Sequence, residues 1–469
     1  MKKYGIIVAL IAAIAAGIGG WWLLRGSNDN AASSLPANVT MVGRVDFKSL
    51  ALGYGLSWDE VKELIASKND KEDTGIDFSS NAYLFASQGY FGAIVPLGDA
   101  DDFEAFLRRE GETIETQRGL KWSVLNGNML LAFSDDRAMF MGPALGAELD
   151  NLRNTLATCI RQKETESGKQ SRLYKLATER KEPIGLATNF TTLPEVKLLR
   201  EIPWLKVKLP LDALNLSAGV TLKKERFSLS AALDTEDKKT EKMLNRADDI
   251  FSKVNGDLLA TTPANPLFLM MIGLDGEDLL TLLRENDAIR TALLMANALI
   301  DLDMIVKSID GDVSLTLMGD SQHPDLLFQA QLENDKFMRN VTSWNDDMTR
   351  MAGLQFYARD EHNAICRMKS GTDFYFSTAD KRLRISNNEA TATATAHNDV
   401  AWAIKDDARK NILYATLDLS SARSVGPVST SRLSTYFSRV TLSAPDLWHL
   451  DLNFDIAEGV DLLKELKKE

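Results

Sequence analysis

Histidine and carboxylate side chains are the groups in this chain that could bind a metal ion or transfer a proton. The four histidines are His323, His362, His397 and His449. No two of them are close enough in sequence to form a helical pair of metal ligands. Asp360-Glu361-His362 is a local cluster of candidate ligands, but adjacent residues on a strand point to opposite faces. We therefore predict no metal site there, and we expect His449 to be exposed on the polar face of a strand.

An acidic segment partly matches a calcium-binding loop. Asp70, Glu72 and Thr74 place oxygen atoms at alternating positions, and Gly75 provides the glycine that such a loop needs at its sixth position. The twelfth position should carry a bidentate glutamate, but it is Asn81. We interpret the segment as a polar loop that precedes a strand.

The sequence lacks the motifs that define common catalytic sites. It contains no glycine-rich phosphate loop, no nucleophile elbow and no zinc-protease helix. We therefore predict no catalytic, cofactor-binding or metal-binding residues and no cofactor. This favours a non-enzymatic protein and leaves the question of an enzyme open, because paired carboxylates of a hydrolase could meet only in the fold.

The two cysteines lie in different kinds of element. Cys159 ends a predicted helix and Cys366 lies in a predicted strand. Two cysteines of an exported protein could form a disulfide, but these two do not occupy matching positions in the internal repeat described below. We predict two free buried thiols, with a disulfide as the alternative.

The overall charge excludes one class of partner. The chain has 54 basic and 66 acidic residues, for a net charge of −12. A nucleic-acid-binding protein needs clustered lysine and arginine to displace counterions from phosphates. We therefore predict no nucleic-acid partner, and we interpret the diffuse acidity as a source of solubility.

The N-terminal 25 residues have the pattern of a membrane anchor. Lys2 and Lys3 precede an uncharged, largely apolar run over residues 4–24, which is long enough to cross the hydrocarbon core as a helix. We predict an uncleaved signal anchor with the rest of the chain on the periplasmic side of a bacterial membrane. The alternative is a signal peptide cleaved near Ala13-Ile14-Ala15, which would export the protein.

Small residues recur every four positions in this segment, at Gly5, Ala9, Ala13 and Gly17. Such a row lets two membrane helices approach closely, so the segment could form a homodimer, although alanine-rich signals show such rows by chance. Residues 26–34 are small and polar, and we predict a flexible linker there.

The remainder of the chain contains an internal repeat. Thr188, at the end of Pro183-Ile184-Gly185-Leu186-Ala187-Thr188, has a counterpart in Thr416, at the end of Asn411-Ile412-Leu413-Tyr414-Ala415-Thr416, 228 residues later (416 − 188). Five other pairs of short motifs occur in the same order in both halves of the chain. The difference in residue number between the two members of a pair varies only as much as small insertions allow. We predict two duplicated domains, over residues 35–259 and 260–469.

Each domain has the pattern of an α+β fold. Leu214, Leu216, Ala218 and Val220 alternate with mostly polar neighbours, as in a half-buried strand, and a polar turn then leads into a second such strand. Consecutive hairpins indicate a mainly antiparallel sheet that helices can cover. The complete prediction is two such tandem domains after an N-terminal transmembrane helix.

Three strand-and-turn motifs carry a resemblance to a known family. They are Leu35-Pro36-Ala37-Asn38-Val39-Thr40-Met41-Val42-Gly43-Arg44-Val45-Asp46, Gly75-Ile76-Asp77-Phe78-Ser79-Ser80 with Ala82-Tyr83-Leu84-Phe85, and Ala93-Ile94-Val95-Pro96-Leu97. The chain resembles an uncharacterised family of cell-envelope proteins from Bacteroidota, a domain of unknown function related to lipoproteins of that group. The resemblance implies an envelope location but no activity. Members of that family usually carry a lipoprotein cysteine after the signal, and this sequence has none there.

Together these patterns favour a membrane-anchored envelope protein that acts by binding or scaffolding, with an unknown protein, glycan or lipid as ligand. The alternatives are a carboxylate-based hydrolase and a carrier of lipid or other hydrophobic ligands. In the carrier, the apolar residues 268–272 and 293–300 would line a cavity. We expect both runs to be ordinary core instead, because a buried strand and a covered helix require them.

Overall fold

The computed structural model describes residues 29–55, 74–193, 210–319, 324–394, 404–422 and 430–462. The chain forms two compact units. Unit 1 contains residues 1–193 and 211–234, and unit 2 contains residues 194–210 and 235–469. Among the described residues, no helix combines the length and apolarity needed to cross a membrane. The predicted anchor over residues 4–24 lies outside the described residues.

The described part of unit 1 has an antiparallel sheet of ten strands. These are β1 (Val39–Val45), β2 (Ala82–Ser87), β3 (Tyr90–Pro96), β4 (Glu115–Gln117), β5 (Leu120–Leu125), β6 (Met129–Phe133), β7 (Arg137–Gly142), β8 (Ile184–Asn189), β9 (Asn215–Leu222) and β10 (Arg226–Asp234). Their spatial order is β10-β9-β8-β1-β2-β3-β7-β6-β5-β4.

Helices cover both faces of this sheet. The helices are α1 (Phe47–Tyr54), α2 (Ala100–Arg109), α3 (Ala147–Arg161) and α4 (Arg172–Glu179). Neighbouring strand residues belong to different core clusters: Leu130 packs with α3 and α4, whereas Leu131 packs with α1 and α2. Since successive side chains of a strand point to opposite faces, the sheet has an apolar core on each side.

The predicted flexible linker is wrong for its last six residues. Asp29–Ser34 form a 3-10 helix, in which Ala32 and Ser34 are fully buried. Ala31 and Ala32 pack into the α3 side of the core. Small polar residues are typical of flexible linkers. In Asp29–Ser34, however, their small size allows the backbone to lie close against the sheet.

Unit 2 also has an antiparallel sheet. Its strands are β11 (Phe251–Ser252), β12 (Phe268–Asp275), β13 (Ile309–Gly319), β14 (Pro324–Leu332), β15 (Leu354–Ala358), β16 (Asn363–Met368), β17 (Asp373–Ala379), β18 (Arg382–Ser386), β19 (Leu413–Asp418), β20 (Phe437–Asp446) and β21 (His449–Ile456). The spatial order is β21-β20-β19-β12-β13-β14-β18-β17-β16-β15, and β11 pairs with the end of β12.

The helices of unit 2 are shorter. They are α5 (Lys238–Asp248), α6 (Gly276–Arg284), α7 (Asp287–Asn297), α8 (Leu302–Lys307), α9 (Asp347–Met351), α10 (Glu389–Thr393), α11 (Lys405–Ala408), α12 (Leu419–Ala422) and α13 (Thr430–Tyr436), with 3-10 helices at Asp257–Thr261 and Lys336–Trp344. The predicted domain boundary near residue 260 falls inside unit 2.

The two units share one strand order. Counted along the chain, the ten strands β1 to β10 occupy the same places in their sheet as β12 to β21 occupy in theirs. In each unit the first of these strands ends at an aspartate that caps the next helix. Asp46 accepts a hydrogen bond from the Ser49 backbone N–H at 2.9 Å, and Asp275 accepts one from the Asp278 N–H at 2.9 Å.

Two local predictions in unit 2 differ from the structure. The apolar run at residues 293–300 was expected to be core, but α7, which contains most of it, has no buried residue, and Leu294 and Met295 are 65% and 63% exposed. The helix packs against α6 and α8. Ser443-Ala444-Pro445-Asp446 has the residue types of a turn, but these residues continue β20, and the hairpin turns at Leu447 and Trp448 instead.

Candidate functional site

A cleft of about 340 Å³ lies at one corner of unit 1. Three segments line it: the turn before β1, the end of β2, and the C-terminal half of α3. The lining residues are Pro36, Ala37, Asn38, Ser87, Gln88, Asn154, Thr155, Thr158, Cys159 and Gln162. The volume is near the lower end of the range of about 300–1,000 Å³ that is usual for small-ligand pockets, and the cleft is open to solvent. We call this feature the unit 1 cleft.

Helical spacing brings the α3 residues of the cleft together. Asn154, Thr155, Thr158, Cys159 and Gln162 are separated by three or four positions or are adjacent, so they share one side of the helix. The neighbouring side of α3 is anchored in the core by Leu152 and Leu156, which are buried. The residues of this cleft wall therefore belong to a helix, α3, that is packed against the core.

Several polar groups of the cleft are used to hold its walls in place. Ser87 Oγ donates to the Asn38 carbonyl at 2.9 Å and joins the end of β2 to the turn before β1. Gln162 Nε2 donates to the carbonyls of Ser33 and Leu35 at 3.0 and 2.7 Å, which ties α3 to the N-terminal segment. These bonds connect all three lining segments.

The two threonines keep only their acceptor capacity for a ligand. Thr155 and Thr158 donate their hydroxyl protons to the carbonyls of Asn151 and Asn154, at 3.3 and 2.8 Å. A hydroxyl has two lone pairs, so each oxygen can still accept a hydrogen bond.

Three carboxamide side chains around the cleft make no hydrogen bond to any residue that the structure describes. They belong to Asn38, Gln88 and Asn154, which are all exposed. Each carboxamide carries two N–H donors and an acceptor oxygen. The lining, as far as the structure describes it, includes no charged side chain. The cleft therefore offers a ligand donors and acceptors without charge.

Cys159 contributes to the floor of the cleft and is 5% exposed. Burial raises the pKa of its thiol to about 11. The thiolate, which is the nucleophilic form, is therefore scarce at neutral pH. Cys159 and Cys366 are both free and buried, which confirms the prediction of unpaired thiols. Nothing in this geometry activates Cys159 as a nucleophile.

The candidate metal ligands Asp360 and His449 make hydrogen bonds or ion pairs within turns of unit 2. Asp360 accepts hydrogen bonds from the backbone N–H groups of His362 and Asn363, both at 2.8 Å, in the turn between β15 and β16. His449 is exposed at the start of β21, as predicted, with Nδ1 2.7 Å from Asp446 Oδ1. Within the described ranges no three metal-ligating side chains converge. His323 and His397 lie outside those ranges, as do Asp70 and Glu72.

Two charged residues are buried in the described part of the chain, Asp312 and Arg384, both in unit 2. The Asp312 carboxylate accepts the backbone N–H groups of Asn255 and Gly256 at 2.9 and 2.7 Å. Burial raises the pKa of this carboxyl above its usual range, and these two hydrogen bonds oppose the rise. Asp312 therefore anchors the segment at residues 255–256.

Arg384 is 6% exposed and has no carboxylate partner among the residues that the structure describes. It donates to the Ala392 and Thr391 carbonyls at the end of α10, to the Thr261 carbonyl, and to Gln329 Oε1. Burial lowers the pKa of Arg384 to about 10, with a further contribution from Arg382. The guanidinium fastens two covering segments to the sheet.

The unit 1 cleft was not predicted from the sequence. Its residues come from positions 36–38, 87–88 and 154–162, which no motif joins. The available signal was the helical spacing of Asn154, Thr158 and Gln162, which alone is indistinguishable from that of a solvated helix face.

Comparison with known families matches residues 35–427 to the family described as Domain of unknown function (DUF4836). The chain belongs to this family. The resemblance drawn from the three strand motifs is thereby confirmed at the level of a family of unknown function. The DUF4836 match includes the whole unit 1 cleft and most of unit 2.

Other comparisons add little. No curated protein matches the chain. A solved structure described as "Structure of crystal form I of TP0453" is similar at 10% sequence identity over 48% of this chain and 88% of that chain, with a TM-score of 0.27. A likeness at that TM-score carries no argument about the fold or function of this DUF4836 protein.

Proposed function

We propose that this DUF4836 protein is a cell-envelope protein that is held at a membrane by residues 4–24 and acts by binding a ligand in the unit 1 cleft. The observation that carries the proposal is the set of unpaired carboxamides around that cleft. The carboxamides of Asn38, Gln88 and Asn154 make no hydrogen bond within the described structure, so their donors and acceptors are free to exchange water for a ligand. Their exposure keeps them available to a ligand.

The envelope location, the relation to Bacteroidota lipoproteins and the membrane attachment form one part of this proposal. They are supported by the apolar run at residues 4–24 and by the strand motifs quoted above. The row of small residues in the same run supports pairing of two anchors into a homodimer.

Tandem duplication forms a second part. It is supported by the common strand order of the two units and by the caps Asp46 and Asp275, each of which begins the helix after the first matched strand. If one unit of a duplicated fold binds the ligand, the sequence of the other unit is under less constraint. In unit 2 the buried face around Arg384 is polar.

The binding proposal is tested by filling the cleft. Thr155 is half-buried in the cleft wall, and a Thr155→Trp variant would occupy much of the volume without altering the α3 core. We would measure thermal stabilisation of the full chain by a panel of neutral polar, acidic, basic and apolar small molecules. We expect at least one class to stabilise the unaltered chain and to lose that effect in Thr155→Trp.

Thr291→Trp, on the exposed side of α7 in unit 2, is the matched control and should respond like the unaltered chain. Stabilisation that survives Thr155→Trp, or a panel with no stabilising member, would count against binding at this cleft.

A further inference from the structure

The chemistry of the unit 1 cleft narrows its ligand to one class. We infer that the cleft binds a neutral oligosaccharide, an inference that rests on the proposed binding function and specifies it. Seven of the ten lining residues have uncharged hydrogen-bonding side chains, and the other three are Pro36, Ala37 and Cys159.

The absence of charge from the lining argues against several ligands. A phosphate, a carboxylate or an acidic sugar would be bound through arginine or lysine, and none lines the cleft within the described residues. An ammonium group would be bound through a carboxylate or an aromatic face, and the lining includes neither. A charged ligand would therefore lose its hydration without compensation.

The pattern of donors and acceptors fits hydroxyl groups. Every sugar hydroxyl both donates and accepts a hydrogen bond, and a carboxamide offers both functions side by side. Asn38, Gln88 and Asn154 supply carboxamides from three different segments, so they can contact a ligand from more than one side. Thr155 and Thr158 add acceptors, because their protons are already donated within α3.

The apolar part of the lining suits the C–H face of a sugar ring. Ala37 is exposed, whereas Pro36 and Cys159 are buried, and all three small residues lie among the polar groups of the same cleft. An extended peptide would instead be recognised through main-chain hydrogen bonds to an open strand edge. In the unit 1 cleft, β2 is paired on both sides, with β1 and with β3, so its edge is not open.

The test is calorimetric titration of the full chain, purified in a sugar-free detergent. The probes are neutral trisaccharides of hexoses and of N-acetylhexosamines, with trigalacturonate as the acidic comparison and a capped Ser-Ala hexapeptide as the peptide comparison. We expect a neutral trisaccharide to bind, and trigalacturonate and the hexapeptide not to bind. Asn154→Ala and Gln88→Ala should each weaken that binding about fivefold to tenfold, the effect of losing about one hydrogen bond.

Asn151→Ala is the matched control, because Asn151 is an exposed asparagine of the same helix outside the cleft. It should leave the affinity within twofold. Asn154→Asp keeps the side-chain shape and removes the donors, so a similar loss in this variant shows that the effect is not one of folding.

Each contrary result has a distinct meaning. If no neutral trisaccharide binds, or if binding is unchanged by Asn154→Ala, the oligosaccharide inference fails. If trigalacturonate or the hexapeptide binds and depends on Asn154, the ligand class is wrong while the proposed binding function stands. If Thr155→Trp also leaves every ligand response intact, the binding function itself fails.

Discussion

Cys159 shows how burial alone sets the reactivity of a side chain. Its pKa of about 11, against 9.0 for an unperturbed thiol, reduces the thiolate fraction at pH 8 by about a hundredfold. We therefore expect iodoacetamide to label Cys159 about a hundredfold more slowly in the native chain than in guanidinium, with a rate that rises about tenfold per pH unit from pH 8 to pH 10. Mass spectrometry of the peptide containing Cys159 measures both rates. Native labelling at the unfolded rate would show that the thiol is neither buried nor shifted.

Arg384 is the residue whose loss should cost the most stability in unit 2. Arg384→Met retains an apolar stem but removes the guanidinium donor of three carbonyl groups and leaves Gln329 Oε1 with the Thr261 hydroxyl as its donor. We expect the free energy of unfolding to fall by about 3 kcal/mol, measured by chemical denaturation.

Arg367→Met is the matched control for this measurement. Arg367 forms an ion pair with Asp373 at 2.8 Å, but its side chain is 55% exposed. Its removal should leave the denaturation midpoint unchanged. Equal effects of the two substitutions would contradict the assigned role of Arg384.

Residue types alone predicted some of these roles. The unpaired cysteines and the exposed His449 followed from composition and strand periodicity. The burial of Arg384 did not, because an arginine in an alternating strand is ordinarily assigned to the solvent face. Its partners come from residues 261, 329 and 391–392, and only the fold brings these together.

Helix starts are features that local sequence can specify. Asp99 caps α2 by accepting the backbone N–H groups of Asp101 and Asp102 at 2.9 and 3.0 Å, and the acidic residues of this first turn complement the helix dipole. Capping depends on contacts within four residues, so local sequence is sufficient to predict it. The exposure of α7 depends on what packs against it, and sequence does not contain that information.

Gly276 is required where α6 begins. A Cβ atom at this position would lie 1.8 Å from the Val306 carbonyl oxygen at the end of α8. We expect Gly276→Ala to lower the free energy of unfolding by roughly 2 kcal/mol, because backbone must move to accommodate the methyl group. Thermal or chemical denaturation measures the change.

Gly53→Ala in α1 is the contrasting substitution. Its Cβ would meet the Leu222 carbonyl oxygen at 3.5 Å, an ordinary contact, and the backbone is helical. We expect a gain of up to about 1 kcal/mol from the better helix former. A loss in Gly53→Ala as large as that in Gly276→Ala would show that steric contact does not explain the effect.

At the scale of the whole molecule, the proposed anchor at residues 4–24 should decide where the chain is found. We expect the full chain to sediment with membranes and to resist extraction by high salt and by carbonate. Removal of residues 2–25 should release it into the supernatant, because the apolar run that is proposed to hold the chain in the membrane is then absent. Immunoblotting of the fractions measures the distribution. Release of the full chain by carbonate would contradict an integral anchor.

The buried faces of the two sheets differ in polarity. In unit 1, Phe85 pairs with Val42. Met141 belongs to the same row of paired residues across the sheet, two strands beyond Phe85. The corresponding row of unit 2 places Ser314 opposite Met271, followed by Gln329 and Arg384. The same buried face is therefore apolar in unit 1 and hydrogen-bonded in unit 2.

The sequence by itself determined the α+β class, the antiparallel hairpins, the helix caps and the membership of a family of unknown function. All of these depend on local periodicity, on short-range hydrogen bonds or on recognisable motifs. The series of matching motifs was also visible in sequence, but the register of the strand pairing was not. Counted from the caps, Ala187 opposite Val42 corresponds in position to Tyr414 opposite Met271, so Thr188 matches Ala415 in the sheet and not Thr416.

Tertiary structure decided the rest. A shift of one residue exchanges the two faces of a strand, and only strand pairing specifies which face is buried. The same is true of the unit 1 cleft, since Asn38, Gln88 and Asn154 are 50 and 66 positions apart in turn (88 − 38 and 154 − 88) and meet only because α3 packs against β6, β7 and the 3-10 helix at Asp29–Ser34. Side chains distant in the chain acquire a common environment through packing, which no local pattern encodes.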